Sequence, residues 1–186
     1  MLITPEYLKV CRETHEQKPS WGNDPKRKLA DIFDFIRLYG IKSNKTKYPH
    51  TILDYGCGKG KLSTILNYKV VNYDPTVTRF SEDPPVCDFL LSIDVMEHVE
   101  ERCVDDVLKH MNSKFRYHAF ISIANGPAVQ TLIDGRNAHI TQKPFIWWFD
   151  KLVENFHVVR FWNQDDRPFD PLKGIYNFYL RHKKFD

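Results

Sequence analysis

The spacing of apolar positions changes several times along the chain, and each spacing predicts a different kind of element. Four short, mainly apolar runs predict buried strands, at residues 51–55, 69–74, 88–93 and 117–123. Apolar residues that recur every three or four positions predict helices with one buried face, at residues 25–38, 62–66, 95–112 and 144–156. Two late apolar runs, 158–162 and 175–180, predict strands with a proline-containing loop and no helix between them.

This order of elements predicts an α/β protein. Strands that alternate with helices form a parallel sheet that is covered by helices on both faces. The two late strands have no helix between them, so we expect them to pair as an antiparallel hairpin. The length suits a single domain over residues 1–186, with a core over residues 27–186. The polar residues 1–26 are expected to form an N-terminal arm or lid, which contains His15, Trp21 and Gly22.

Composition and charge exclude several classes of protein. The 186 residues are 42% hydrophobic and 27% charged, as in ordinary globular domains, and the net charge is only +3. A charge of this size does not by itself indicate nucleic-acid binding. No apolar run approaches the roughly 18 residues of a membrane span, and the first residues lack a signal-peptide pattern. We therefore expect a cytoplasmic protein with reduced thiols, since its four cysteines form no CxxC pair.

A glycine-rich turn follows the first predicted strand, in the sequence LDYGCGKG of residues 53–60. Its glycines are spaced GxGxG, whereas the nicotinamide and flavin fingerprint requires a third glycine where this chain has Lys61. Asp54 precedes the first glycine by two residues, and its charge would repel a pyrophosphate but attract a cationic amino group. Asp74 ends the second predicted strand, where an acid can bind ribose hydroxyls. The structural alternative is a plain turn that binds no ligand.

Three elements together resemble the class I S-adenosylmethionine-dependent methyltransferases: residues 53–60, Asp74, and the sequence IDVMEHV of residues 93–99. The resemblance implies a three-layer, Rossmann-like sheet, with S-adenosylmethionine as cofactor and S-adenosylhomocysteine as product. In that family the glycine turn holds the methionine part, the acid after the second strand holds the ribose, and the third element lines the pocket. The implied cofactor-binding residues are Asp54, Gly56, Gly58, Gly60, Asp74 and Asp94.

The chain departs from that family after its second predicted strand. The family has a helix and a further edge strand at this point, but residues 75–87 are too few for both. We therefore expect the edge strand, which is the family's third, to be missing or vestigial. The adenine contact that this region supplies in the family would then come from the loop, through Thr78, Phe80 or Ser81.

Acidic and histidine side chains after the next strand are candidates for chemistry at the acceptor. Asp94, Glu97 and His98 would share one face if a helix begins there, and such a set can hold a divalent cation such as Mg or Mn. The set resembles the acid-x-x-Glu-His element of the metal-using ubiquinone-biosynthesis O-methyltransferases. With His139 and the aromatic helix after it, the set also resembles the metal-using small-RNA 3′-end 2′-O-methyltransferases. The alternative is a metal-free enzyme in which His98 or His139 is the general base.

These observations favour transfer of a methyl group from S-adenosylmethionine to an oxygen or nitrogen of a small-molecule, sugar or nucleotide-like acceptor. One alternative is a divalent-metal-dependent RNA 3′-end 2′-O-methyltransferase, which the small net charge and the lack of a basic stripe disfavour. A second alternative is a methyltransferase-fold module that binds partners without catalysis. No membrane partner is expected.

Overall fold

The computed structural model describes residues 1–19, 21, 26–164 and 174–184. Within these residues the helices are α1 (Pro5–Gln17), α2 (Leu29–Leu38), α3 (Leu62–Ile65), α4 (Val104–Ser113) and α5 (Phe145–Asn155). The strands are β1 (Thr51–Tyr55), β2 (Lys69–Tyr73), β3 (Phe89–Ile93), β4 (His118–Asn125), β5 (Phe156–Asn163) and β6 (Gly174–His182). Each apolar run that predicted a strand therefore overlaps one.

The six strands form one sheet in the order β2-β1-β3-β4-β6-β5. β1 pairs in parallel with β2 and β3, and β3 pairs in parallel with β4. β6 runs antiparallel to both β4 and β5, which confirms the predicted C-terminal hairpin. Residues 75–87 contain a 3₁₀ turn at Thr78–Phe80 and an isolated bridge at Cys87, but no strand. β2 is therefore an edge strand, and the expected loss of the family's third strand is confirmed.

Apolar side chains fill both faces of the sheet. The face under α4 and α5 buries a cluster that includes Leu53, Leu90, Met111 and Trp148. The face under α2 and α3 buries a second cluster that includes Phe35, Ile52, Leu91 and Phe120. Successive residues of a strand point to opposite faces, so both clusters hold β1 and β3 in place. The carboxyl ends of these strands are thereby fixed.

The helix predicted over residues 95–112 is wrong in its first half. β3 is followed by Asp94, which has φ +54°, and then by 3₁₀ turns at Met96–His98 and Glu101–Cys103. Two extended residues, with ψ of 135° and 133°, separate the turns and interrupt the helix. The apolar spacing holds from Cys103 onwards, where α4 packs on the sheet.

A helix also forms within the first 26 residues, where the sequence predicts an arm. The Thr4 hydroxyl caps α1 by accepting a hydrogen bond from the amide of Tyr7 at 3.3 Å, and Pro5 occupies the first turn, where proline is favoured. The buried residues of α1 are Tyr7, Cys11, Thr14 and His15. Because two of these four side chains are polar, a search for apolar periodicity misses the helix.

Candidate active site

A cavity of about 790 Å³ opens at the carboxyl ends of β1, β3 and β4. Ligands bind at this edge in open α/β sheets, and pockets for small ligands typically measure roughly 300–1,000 Å³. The cavity therefore has room for a nucleoside cofactor beside a second molecule. Apart from Gly60, every predicted cofactor residue lines it. Both candidate histidines line it as well, and Glu97 is fully buried behind them.

Backbone hydrogen bonds hold the glycine turn against the end of β2. The amides of Gly56 and Cys57 donate to the carbonyl oxygen of Tyr73 at 2.8 and 3.0 Å. Gly56 and Gly58 have φ values of +79° and +51°, a region that glycine adopts at no steric cost. A Cβ on Gly56 would lie 2.4 Å from a methyl carbon of Val95. Glycine at position 56 therefore lets the turn after β3 pack directly on the glycine turn.

Gly60 has a packing function in this structure. Its φ is +71°, and a Cβ there would lie 2.9 Å from the ring of Phe80. The glycine thus lets the 3₁₀ turn after β2 close onto the glycine turn. Gly60, Thr78, Phe80 and Ser81 are not part of the cavity lining, so their contacts with a cofactor remain predictions. The residues of this loop that do line the cavity are Pro75 and Thr76.

Two buried acids flank the glycine turn. Asp74 accepts hydrogen bonds from the Gly58 amide at 2.9 Å and from the amide and hydroxyl of Thr76 at 2.9 and 2.5 Å. Burial, and then the charge of Asp74, raises the pKa of the Asp54 carboxyl to about 7. A cationic group bound beside Asp54 would favour its ionised form. The two acids therefore suit a ligand that presents ammonium or hydroxyl groups.

Asp94 directs its carboxylate towards β4 and the segment before α2. Its Oδ1 accepts a hydrogen bond from the Ser122 hydroxyl at 3.2 Å, and the carboxylate forms an ion pair with Arg27. The φ of +54° is sparsely populated outside glycine and is typical of functional sites. Asp94 lines the cavity, but among the described residues it does not join Glu97 and the histidines in one group of ligand atoms. Its predicted metal contact remains a prediction.

Glu97, His98 and His139 converge beside the cavity. One ligand atom from each lies within 4.8 Å of the other two, and His139 Nε2 is 3.9 Å from Glu97 Oε1. Glu97 Oε1 also accepts a hydrogen bond from the Ala124 amide at 3.0 Å, whereas Oε2 is buried without a partner in the described part of the chain. Burial, and then the charge of Asp94, raises the pKa of Glu97 well above its ordinary value. A cation here would relieve that penalty.

One ring nitrogen anchors each histidine. His98 Nδ1 donates to the carbonyl oxygen of Ala138 at 2.8 Å, and His139 Nδ1 donates to that of Gly126 at 2.7 Å. Since a carbonyl only accepts, each Nδ1 carries the hydrogen and each Nε2 keeps a lone pair. Burial, and then the charge of His139, lowers the pKa of His98 to about 4, and burial also lowers the pKa of His139. Two neutral imidazoles are therefore available to bind a metal or accept a proton.

Helix α1 forms a roof over the cavity, which it lines through Tyr7, Cys11 and His15. The Lys59 ammonium donates to the carbonyl oxygen of His15 at 2.6 Å and ties the roof to the glycine turn. The ring of Trp21 lies 6.3 Å from that of His15 and 5.6 Å from that of His98. Sequence reasoning missed Tyr7 and Cys11, although the four-residue spacing 7, 11, 15 is a helical signal. Gly22, also expected in a lid, lies outside the described residues.

A buried lysine behind Asp94 was not predicted either. Lys28 is 1% exposed, and its ammonium donates to Asn177 Oδ1 at 2.8 Å and to Gln164 Oε1. Asn177 lies opposite Ser122 in the β4–β6 register, and the Ser122 hydroxyl donates to Asp94. These polar contacts join the start of α2, the C-terminal hairpin and the end of β3 along one wall of the cavity.

A comparison with known protein families identifies the family of the chain. A family model described as a methyltransferase domain matches residues 21–166, which is most of the sequence. The chain therefore belongs to this family, the class I S-adenosylmethionine-dependent methyltransferases, and is an enzyme that uses S-adenosylmethionine. No curated protein matches the sequence. No helix in the described residues has the length and apolar character that crossing a membrane requires.

Solved structures of low sequence identity share the fold. A 1,6-didemethyltoxoflavin-N1-methyltransferase of Burkholderia thailandensis, bound to 1,6-didemethyltoxoflavin and S-adenosylhomocysteine, is 16% identical, with a TM-score of 0.65 over 98% of this chain and 92% of that one. A magnesium protoporphyrin IX methyltransferase of Synechocystis, bound to S-adenosylmethionine, is 11% identical, with a TM-score of 0.62 and coverage of 97% and 99%. The methyltransferase domain of a bacterial Hen1 is 18% identical, with a TM-score of 0.55 and coverage of 83% and 97%.

Proposed function

We propose that this enzyme methylates an oxygen or nitrogen of a small-molecule, sugar or nucleotide-like acceptor. The observation that carries the proposal is one cavity shared by the acids and glycines at the end of β1 and β2 and by the two histidines that follow β3 and β4. The proposed cofactor residues are Asp54, Gly56, Gly58, Gly60, Asp74 and Asp94. The small-molecule acceptors of two similar structures, a toxoflavin precursor and a magnesium porphyrin, support this acceptor class.

The chemistry is an in-line displacement. A lone pair of the acceptor forms a bond to the methyl carbon while the carbon–sulfur bond breaks, and its electrons stay on sulfur to give S-adenosylhomocysteine. Positioning of the two reactants supplies most of the rate enhancement. In the absence of a metal, Nε2 of His98 or His139 takes the acceptor proton, because both rings are neutral and both Nε2 lone pairs are available.

A second candidate is a metal-dependent O-methyltransferase, and the Glu97–His98–His139 cluster favours it. Ligand atoms that share one cation at about 2.1 Å lie about 3.0 Å apart in neighbouring octahedral positions and about 3.4 Å apart in tetrahedral ones, so this group, within 4.8 Å, would need to contract by up to about 1.8 Å. The unpartnered Oε2 of Glu97 and the two anchored imidazoles fit such a cation. Two nitrogens and a carboxylate suit Mn²⁺ better than Mg²⁺.

The metal would bind two vicinal oxygens of the acceptor and lower the pKa of a hydroxyl. Glu97, His98 and His139 would hold it, and the histidines would then no longer be available as bases. The acceptor that tests this candidate most directly is an RNA whose 3′ end carries a 2′,3′-diol. Transfer of a labelled methyl group to that RNA, but not to the same RNA with a 2′-deoxy end, would select the RNA 3′-end activity.

Calorimetric titration with S-adenosylhomocysteine tests the cofactor site. We expect micromolar binding in EDTA that Asp74→Ala abolishes, because the ribose then loses its carboxylate partner. Tyr48→Ala, at an exposed position, is the control and should bind as the wild type does. Absence of binding to the wild type would refute the proposed cofactor site and favour a fold that binds only partners.

A separate titration with Mn²⁺ distinguishes the two candidates. The metal-dependent enzyme predicts heat of Mn²⁺ binding that is lost in Glu97→Gln, because the neutral amide removes the anionic ligand. Glu101→Gln is the matched control, since Glu101 is an exposed acid four residues away that pairs with Lys143. Equal Mn²⁺ heats in the wild type and Glu97→Gln would exclude this cluster as the metal site and leave the metal-free mechanism.

A further inference from the structure

Helix α1, which forms the roof of the cavity, lines it with a row of side chains. Tyr7, Cys11 and His15 are spaced four residues apart, so they lie on one face of α1. Eight residues of helix span about 12 Å, and the row therefore passes over much of the cavity. His15 is the last residue of this row. The Lys59 ammonium donates a hydrogen bond to the carbonyl oxygen of His15 and connects this end of the row to the glycine turn.

His15 has an unused polar atom in this position. The residue is 9% exposed and lines the cavity, and its Nδ1 is buried without a hydrogen-bond partner in the described part of the chain. Buried side-chain nitrogens are nearly always bonded, because an unpaired one costs desolvation energy. A buried, unpaired nitrogen on a residue that lines a ligand cavity is explained if a bound ligand supplies the partner.

The charges around the glycine turn indicate which part of the ligand this is. S-adenosylmethionine carries an ammonium group, a carboxylate and a ribose diol, and the first and last of these suit the acids Asp54 and Asp74. The carboxylate is repelled by both acids and requires donors. Lys59 already donates to the His15 carbonyl oxygen, whereas the side chains of His15 and the exposed Lys61 are two donors that line the cavity.

We infer that Nδ1–H of His15 binds the α-carboxylate of S-adenosylmethionine, so that the roof helix recognises the amino-acid end of the cofactor. The inference rests on the proposed cofactor site. Burial lowers the pKa of His15 below its ordinary value, with a further contribution from the charge of Lys59 and against the opposing charge of Asp74, which leaves a neutral ring that donates through one nitrogen. This contact involves only the amino-acid end of the cofactor and not its adenosine end.

Two ligands that differ only in the amino-acid part test the inference. S-adenosylhomocysteine contains it, whereas 5′-methylthioadenosine keeps the adenosine and sulfur but lacks the ammonium and carboxylate groups. We expect His15→Ala to weaken S-adenosylhomocysteine binding about tenfold or more, as loss of a hydrogen bond to a charged group does. Binding of 5′-methylthioadenosine should change by less than about twofold.

Two further variants locate the donor on the ring. In His15→Asn the amide nitrogen takes nearly the place of Nδ1, and this variant should keep most of the affinity for S-adenosylhomocysteine. In His15→Gln the amide nitrogen takes nearly the place of Nε2, so this variant should behave as His15→Ala does. Arg12→Ala removes a cation from the exposed face of the same helix and should change neither affinity.

The results distinguish a carboxylate contact from a packing or ribose contact. If His15→Ala weakened the binding of both ligands equally, His15 would make a packing or ribose contact, and the inference would be overturned. It would also be overturned if His15→Ala weakened the binding of neither ligand. Asparagine and glutamine variants of equal affinity would overturn the assignment to Nδ1. A wild-type protein that binds neither ligand would instead overturn the proposed function itself.

Discussion

The contact between Gly56 and Val95 joins the two loops that carry the cofactor and acceptor residues. A single methyl group added at position 56 would disrupt it. In Gly56→Ala the new Cβ would lie 2.4 and 2.6 Å from the two methyl carbons of Val95. A side chain at φ +79° costs about 1–2 kcal/mol, and overpacking of this kind costs about 1–3 kcal/mol. We therefore expect Gly56→Ala to lower the free energy of unfolding by about 2–5 kcal/mol.

Two further variants separate these contributions. Gly40 has φ +58° with no atom within 4 Å of an added Cβ, so Gly40→Ala should show the backbone cost alone, about 1–2 kcal/mol. Val95→Ala removes both methyl carbons, so the atom nearest to a Cβ added at position 56 is the Cβ at position 95, at 3.1 Å. Most of the clash is thereby relieved. In that background Gly56→Ala should cost about 1–3 kcal/mol less than in the wild type.

Urea unfolding of the wild type, the three single variants and the double variant measures these free energies. The m-value must stay constant, since a change would mean that the folded or unfolded ensemble has altered. A cost of Gly56→Ala no greater than that of Gly40→Ala would refute a steric clash with Val95. Simple addition of the effects of Gly56→Ala and Val95→Ala would refute it equally.

Three other predictions concern the buried charges and the roof helix. Lys28→Met should lower the free energy of unfolding by about 1–3 kcal/mol in urea, because it leaves the buried Asn177 oxygen unpaired; exposed Lys45→Met should change it little. The pKa of Asp54 is raised to about 7 in the fold, so the folded apoprotein keeps a proton that the unfolded chain loses near about pH 4. The stability contributed by this group therefore falls as the pH rises from 4 to 7. Thermal melts over this pH range should show the fall in the wild type, and Asp54→Asn should lack the part that Asp54 contributes. Lys59→Met should speed hydrogen exchange in α1 without changing global stability by more than about 1 kcal/mol; unchanged exchange would show that Lys59 does not hold the roof.

The sheet could be predicted from the sequence because its strands are short apolar runs bounded by turn residues. The C-terminal hairpin followed from the lack of a helix between the last two strands, and the lost edge strand from the shortness of residues 75–87. The interrupted helix after β3 was hidden, because apolar four-residue spacing continues across two 3₁₀ turns. No glycine marks the change of direction there, since Asp94 itself adopts the positive φ.

The candidate site was only partly predictable. Asp94, Glu97 and His98 were expected to share one helix face, which the structure does not contain, and His139 was added to them through a family resemblance. The 3₁₀ turn Met96–His98 and the loop before α5 bring Glu97, His98 and His139 together instead, and the link is visible only in three dimensions. Lys28 lies in a run of basic residues, KRK, that resembles a solvated surface, and its burial depends on amide partners more than 130 residues away.

The two edges of the sheet bear on how the molecule behaves at high concentration. β2 is a short edge strand that begins with the exposed Lys69, and β5 at the opposite edge has a bulge between Val158 and Arg160. Short length, charge and bulges are the devices by which proteins prevent their edge strands from pairing with other molecules. Because both edges carry such a device, the sheet is a poor template for strand-by-strand aggregation.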